Sequence, residues 1–152
     1  MKFQKATVDD LALLCSIANQ AKGHWNYSQD FLDKCRVYFK EEFTEDYLER
    51  SHTYLIMKSD KVVGMGALLM DEEEGPMLDQ FWLLPEHIGK GYGKKAFELF
   101  TDKAKQLGWS SLTVISDVYA EGFYLAMGTK RIGELKSEVQ DSMLPKMLLE
   151  FA

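Results

Sequence analysis

Leu84-Pro85-Glu86-His87-Ile88-Gly89-Lys90-Gly91-Tyr92-Gly93-Lys94-Lys95 joins an apolar, strand-like run to a helical one through three alternating glycines flanked by lysines. That is the chemistry of an anion-binding turn. A helix N-terminus leaves backbone N–H groups unpaired, its peptide dipoles favour negative charge there, and glycine lets the backbone approach a phosphate with no side chain in between. Two familiar phosphate turns do not match. A dinucleotide-binding turn reads G-x-G-x-x-G and opens a first strand–helix unit, whereas these glycines run G-x-G-x-G past the middle of the chain and after a proline. A nucleotide P-loop needs G-x-x-x-x-G-K followed by Ser or Thr, and position 95 is Lys.

Upstream of this turn, residues 53–58, 62–70 and 77–83 read as three strands. Ser59-Asp60-Lys61 and residues 71–76 separate them, which suggests an antiparallel meander. Before it, residues 2–6 form a first strand, and Thr7 caps a helix carrying Leu11, Leu14, Cys15 and Ala18 at helical spacing, with Asp9 and Asp10 in its first turn. A break at 22–27 contains Gly23. Ser28 then caps a second helix with Phe31, Leu32, Cys35, Tyr38 and Phe39 on its apolar face, and a shorter helical piece starts near Thr44. Downstream, Ala96, Phe97, Phe100, Ala104 and Leu107 share one helix face and Gly108 ends it. A strand at 112–116, a short helix at 120–127 stopped by Gly128, and strands at 129–135 and 144–151 complete the order β-α-α-β-β-β-α-β-α-β-β.

The 152 residues, 46% apolar and 28% charged, suit one globular domain spanning 1–152. The longest apolar runs are strand-like and fall well short of the roughly 20 residues needed to span a bilayer. The N-terminus starts directly as a strand without an apolar signal region, so no membrane role and a cytoplasmic location are the expectations. Cys15 and Cys35 fall at apolar helical positions without C-x-x-C spacing and read as reduced core thiols. A formal net charge of −6 argues against a nucleic-acid partner, which needs a basic face, and is compatible with a cationic or amine-bearing substrate. His24, His52 and His87 share no metal-ligand spacing, so no metal is expected. There is no G-x-S-x-G elbow or Cys-centred hydrolase signature, which agrees with direct group transfer over a covalent enzyme intermediate.

Positions 88 to 93 carry the second half of the pattern Q/R-x-x-G-x-G/A, and here the chain resembles the GNAT acetyltransferase superfamily. Asp117-Val118-Tyr119-Ala120-Glu121-Gly122-Phe123-Tyr124-Leu125-Ala126-Met127-Gly128 is similar to that superfamily's second motif, usually an Asn, an Ala and Phe/Leu-Tyr followed by Gly-Phe. Gly23-His24-Trp25-Asn26-Tyr27-Ser28 and the segment 137–145 resemble parts of a poorly assigned prokaryotic branch, so the likeness spans nearly the whole chain. It implies the GNAT acyl-CoA N-acyltransferase fold, a mixed α/β sheet with helices on both faces and the element order read above. It also implies acetyl-CoA as cosubstrate.

In that resemblance, backbone groups of Ile88, Gly89, Lys90, Gly91, Tyr92, Gly93 and Lys94 hold the pyrophosphate. The edge of Phe81, Trp82 and Leu83 pairs with the pantetheine arm, and Leu83 N–H is the oxyanion donor. Ile88 stands where Gln or Arg is usual, a loss softened because most of the binding is through main chain. Tyr124 aligns with a tyrosine that many members use as general acid. A phenol with a pKa of about 10 can protonate a departing thiolate within hydrogen-bond reach. Phe123-Tyr124 also reads as plain aromatic packing. Tyr119 replaces an Asn that often touches the cofactor, Val118 a common Pro, and Thr129 a Phe.

A protonated amine must lose a proton before it attacks. Asp79 is the acid inside the fourth strand, next to the expected reaction centre, and reads either as that base or as a hydrogen-bonded structural carboxylate. The histone-acetylating branch carries a glutamate where Met77 stands, which points away from a histone-type enzyme. Asp71, Glu72, Glu73 and Glu74 form an acidic turn, either a solvated hairpin loop or an attractor of cations. Acceptor specificity in the superfamily lies mostly between the first two helices, where His24, Trp25 and Tyr27 either line a substrate pocket or pack the helices.

The expected function is transfer of an acetyl group from acetyl-CoA to the primary amine of a small molecule by direct attack in a ternary complex, with Tyr124, Asp79 and Leu83 catalytic. The alternative is a GNAT-fold acyl-CoA-binding or regulatory protein with little turnover, favoured by Ile88 and Tyr119 and opposed by Tyr124 and Asp79. Dimerisation is common among relatives, and the C-terminal strands offer a route to a homodimer.

Overall fold

The computed structural model describes residues 1–139 and 142–152; Gln140 and Asp141, inside the 137–145 segment singled out above, lie outside the described residues. Strand β1 (Lys2–Lys5) leads through a 3-10 turn at Val8–Asp10 into α1 (Leu11–Gly23). Thr7 N–H donates to the Asp10 carboxylate at 2.8 Å, so the expected cap sits on this turn and the α-helix proper starts only at Leu11. Ser28 and Thr44 cap as their positions suggest. Their hydroxyls accept from Phe31 N–H and Tyr47 N–H, each at 3.2 Å, and start α2 (Gln29–Glu42) and α3 (Glu45–Glu49).

The meander follows as β2 (Ser51–Lys58), β3 (Lys61–Asp71) and β4 (Gly75–Leu83), each longer than its apolar run because turn-flanking residues also pair. Then come α4 (Tyr92–Gln106), β5 (Ser111–Ile115), α5 (Glu121–Ala126), β6 (Lys130–Lys136) and β7 (Met143–Glu150). The sheet runs β1-β2-β3-β4-β5-β7-β6, antiparallel at every junction except the parallel β4–β5. Both faces are covered. On one, Leu14, Ile17, Phe31, Phe39 and Tyr47 pack on Leu55, Met65, Ala67 and Met77. On the other, Phe97, Phe100, Ala104 and Tyr124 pack on Ile56, Leu68, Leu78, Val114 and Met147. Coverage from both sides explains why β3 is buried along most of its length and shows no alternation.

The parallel junction positions the site. β4 and β5 register at Met77 and Thr113 and then diverge. A bulge in β4 accompanies the divergence: Met65 faces Trp82 and Ala67 faces Asp79, leaving Gly66 alone opposite Gln80 and Phe81, with Gln80 at φ 51°. A bulge bends its strand and raises its twist, here turning β4 out of line with β5. Gly66 leaves room for the α4-side aromatic packing here, since a Cβ there would lie 2.4 Å from the Phe100 ring. Past the bulge, Leu84 N–H donates to the Val63 carbonyl at 2.9 Å. Alternation along the strand therefore turns Leu83 N–H away from β3, toward the gap that β5 leaves open.

Candidate functional site

A cavity of about 440 Å³ fills the gap between β4 and β5. Its walls include Asp79, Phe81, Trp82 and Leu83 of β4, Ile88 and Gly93 of the glycine turn, and Tyr119 and Tyr124 around α5. Trp25 and Tyr27 wall it on the α1–α2 side. Residues far apart in the chain thus line one cavity. Gly89, Lys90, Gly91, Tyr92 and Lys94 belong to the same turn but are not part of the cavity wall, and neither is His24, whose ring meets Trp25 edge-on at 4.8 Å.

The glycine turn owes its residues to backbone conformation. Gly89 and Gly91 have φ of 82° and 80°, a region in which a side chain is strained. Gly91 is also the N-cap of α4, whose first turn holds no acidic residue. Its unpaired N–H groups and the positive end of its dipole meet Lys94 and Lys95 instead, which concentrates positive potential on this end of the cleft. Gly93 is constrained by space, since a Cβ would come 3.0 Å from the Phe123 ring.

Tyr124 is 5% exposed and packs against the rings of Phe123 and Phe97, with centroids 5.2 and 6.0 Å away. Packing residue and cavity residue are therefore one and the same. Burial first, then the charges of Asp117 and Asp79, push its phenol well above the ordinary tyrosine pKa. The phenol stays protonated at any physiological pH.

Asp79 lies where the cavity meets the α1–α3 face of the sheet. Its Oδ2 accepts from Tyr47 Oη at 2.7 Å. Burial raises the carboxyl above its usual range, against the lowering effects of Tyr47, the Gln80 N–H and Arg50. On the same side, burial and the nearby Glu42, Asp79 and Glu138 raise the phenol of Tyr38, another wall residue.

Lys22 and Asp117 form an ion pair within the cavity wall that the sequence did not reveal. Asp117 Oδ1 accepts from Tyr27 Oη at 2.8 Å and Tyr119 N–H at 2.9 Å. Tyr119 lies flat on Trp25, ring centroids 5.2 Å apart and 5° from parallel, so the residue replacing the usual Asn braces the α1–α2 loop. A lysine near a helix C-terminus ordinarily reads as a solvated partner of the dipole, and only the fold carries its ammonium to Asp117. Cys35 is buried and lines the cavity as well, whereas Cys15 is half-buried and packs against the core, its Sγ donating to the Phe39 carbonyl at 3.6 Å. The acidic 71–74 turn is organised internally. Asp71 Oδ2 accepts from Glu73 N–H and Glu74 N–H, both at 2.9 Å, and Glu74 pairs with Lys146 on β7. Among the described residues no helix is long and apolar enough to cross a membrane.

A mixed seven-stranded sheet split between parallel central strands, with a glycine turn and a cavity at the split, defines a GNAT-type acyltransferase fold. The chain belongs to the acetyltransferase (GNAT) family, whose model matches residues 18–129. No curated protein matches it in sequence. Among solved structures, a GCN5-related N-acetyltransferase from Rhodopseudomonas palustris is similar with a TM-score of 0.79 at 14% identity, covering 99% of this chain and 95% of that one. A PaiA N-acetyltransferase from Thermoplasma acidophilum in complex with coenzyme A has a TM-score of 0.76 at 17% identity, with 99% and 98% covered. A spermidine N-acetyltransferase from Vibrio cholerae in complex with CoA and spermine has a TM-score of 0.68 at 14% identity, with 98% and 94% covered.

Proposed function

We propose that this chain transfers an acetyl group from acetyl-CoA to the primary amine of a small molecule, by direct attack in a ternary complex. The observation that carries the reading is the cavity itself, which runs from the glycine turn along the open edge of β4 to Tyr124 and Asp79 and on to the α1–α2 side. In this reading the turn offers backbone N–H groups to a pyrophosphate, and the unpaired edge at 81–83 offers a strand-like partner to a pantetheine arm. The structures bound to coenzyme A share this fold and support the assignment.

In this reading Asp79, with its raised pKa, takes a proton from the incoming ammonium and the freed amine attacks the thioester carbonyl. Leu83 N–H, turned toward the gap, donates to the developing oxyanion. As the C–N bond forms and the C–S bond breaks, Tyr124 gives its proton to the departing thiolate. Trp25 and Tyr27 wall the acceptor side.

The test is thiol release from acetyl-CoA with a panel of alkyl, aryl, amino-acid and polyamine acceptors. The account expects amine-dependent release and intersecting initial-rate lines. Parallel lines would contradict direct transfer. Ile88 at the first signature position and a Tyr119 committed to Trp25 favour a second reading, an acyl-CoA-binding protein with little turnover. Saturable cofactor binding with no release for any amine decides for it.

A further inference from the structure

The acceptor half of the cavity already holds an ammonium group, and it belongs to the chain. Lys22, near the end of α1, reaches across the cleft to Asp117 beyond β5, and the two side chains are only 12% and 7% exposed. Its Nζ lies 4.7 Å from the centroid of the Tyr27 ring, 5.3 Å from that of Phe31 and 5.6 Å from that of Trp82. Asp117 is held from behind, because both Tyr27 Oη and Tyr119 N–H donate to its Oδ1 and leave Oδ2 for the ammonium. A carboxylate oxygen and three aromatic rings converging on one point are the chemistry that recognises an alkylammonium. A bridge needed only to tie a helix to a loop gains little from such a place, since burying two charges costs about as much as their attraction returns. All six residues are cavity walls.

We propose that this point is an ammonium seat in the acceptor pocket that Lys22 keeps filled, which makes Lys22 a specificity-determining residue. A monoamine enters beside it; the second ammonium of a diamine finds the seat taken. The kinetic consequence rests on the transferase reading above, whereas the seat itself does not.

Lys22→Ala empties the seat and leaves Asp117 in place. Thermal unfolding of the wild type, Lys22→Ala and the double variant Lys22→Ala/Asp117→Asn is followed in increasing propylammonium chloride, against sodium chloride at equal ionic strength. The expected result is a saturable rise in Tm for Lys22→Ala alone, with the other two showing only the salt response. The same response in all three overturns the proposal. Should Lys22→Ala fail to fold unaided, its refolding yield reads the same point: recovery with propylammonium and not with sodium supports the seat, and no recovery overturns it. In kinetics, the kcat/KM ratio of a diamine to a monoamine of equal chain length rises at least about tenfold in Lys22→Ala, about 1.4 kcal/mol of altered discrimination. An unchanged ratio overturns the specificity role. If neither protein turns over any amine, the transferase reading fails, and the unfolding experiment still decides the seat.

Discussion

Tyr47, fully enclosed in the core, donates its hydroxyl to the Asp79 carboxylate across 2.7 Å, tying the half-buried acid of the cavity wall to the helix before β2. Tyr47→Phe keeps the ring and deletes the donor, leaving a half-buried carboxylate one partner short. We expect a loss of about 1–3 kcal/mol in urea unfolding at neutral pH. Because this bond lowers the Asp79 pKa, its removal moves that pKa further up.

Asp79 also sets a pH dependence. Its folded pKa is raised, chiefly by burial, so the folded chain holds this proton more tightly than the unfolded one. The stability it contributes is complete below the ordinary carboxylate pKa of about 4 and is lost as the pH rises through the raised value. Compared with Asp79→Asn, which does not titrate, the wild type should lose relative stability over that window in denaturation series at stepped pH. The rate should carry an acid limb above the ordinary carboxylate range, and Asp79→Asn should abolish that limb and lower kcat.

Tyr124→Phe removes one oxygen from a side chain that otherwise keeps its packing against Phe97 and Phe123. With the proton donor gone, kcat should fall by about 10²-fold or more, while coenzyme A binding by calorimetry stays within twofold, a ratio typical of lost acid catalysis. Since burial keeps the phenol neutral far above its usual pKa, the wild-type rate should show no alkaline limb from this group below about pH 10. An unimpaired transfer step in Tyr124→Phe would remove Tyr124 from the mechanism.

Gly91→Ala tests the turn separately from the chemistry. At φ 80° with open space around a would-be Cβ, the penalty is conformational, about 1–2 kcal/mol. The turn relieves that strain by moving, so coenzyme A affinity should drop more than stability does. Calorimetric titration beside chemical denaturation measures both.

What the sequence disclosed follows from where its constraints are local. Ser28 and Thr44 announce helix starts because a hydroxyl bonds an N–H three residues on, and the glycine turn is legible because left-handed backbone selects glycine. The β4 bulge was hidden because its left-handed residue is Gln80, which a strand pattern absorbs without comment. Lys22 and Asp117 stand 95 positions apart, and no periodicity links them. Asp79 was visible as an acid on an apolar strand, yet its partner Tyr47 read only as part of a short helix. His24, adjacent to Trp25 in sequence, lies outside the cavity because the break after α1 turns only part of its aromatic group inward.

The central claim is that the cleft between β4 and β5 receives acetyl-CoA. Calorimetric titration of the purified protein with acetyl-CoA, and separately with coenzyme A, tests it most directly. The account predicts saturable binding of both at one site per chain with micromolar affinity. No detectable heat of binding with either, from protein that unfolds cooperatively, would contradict it.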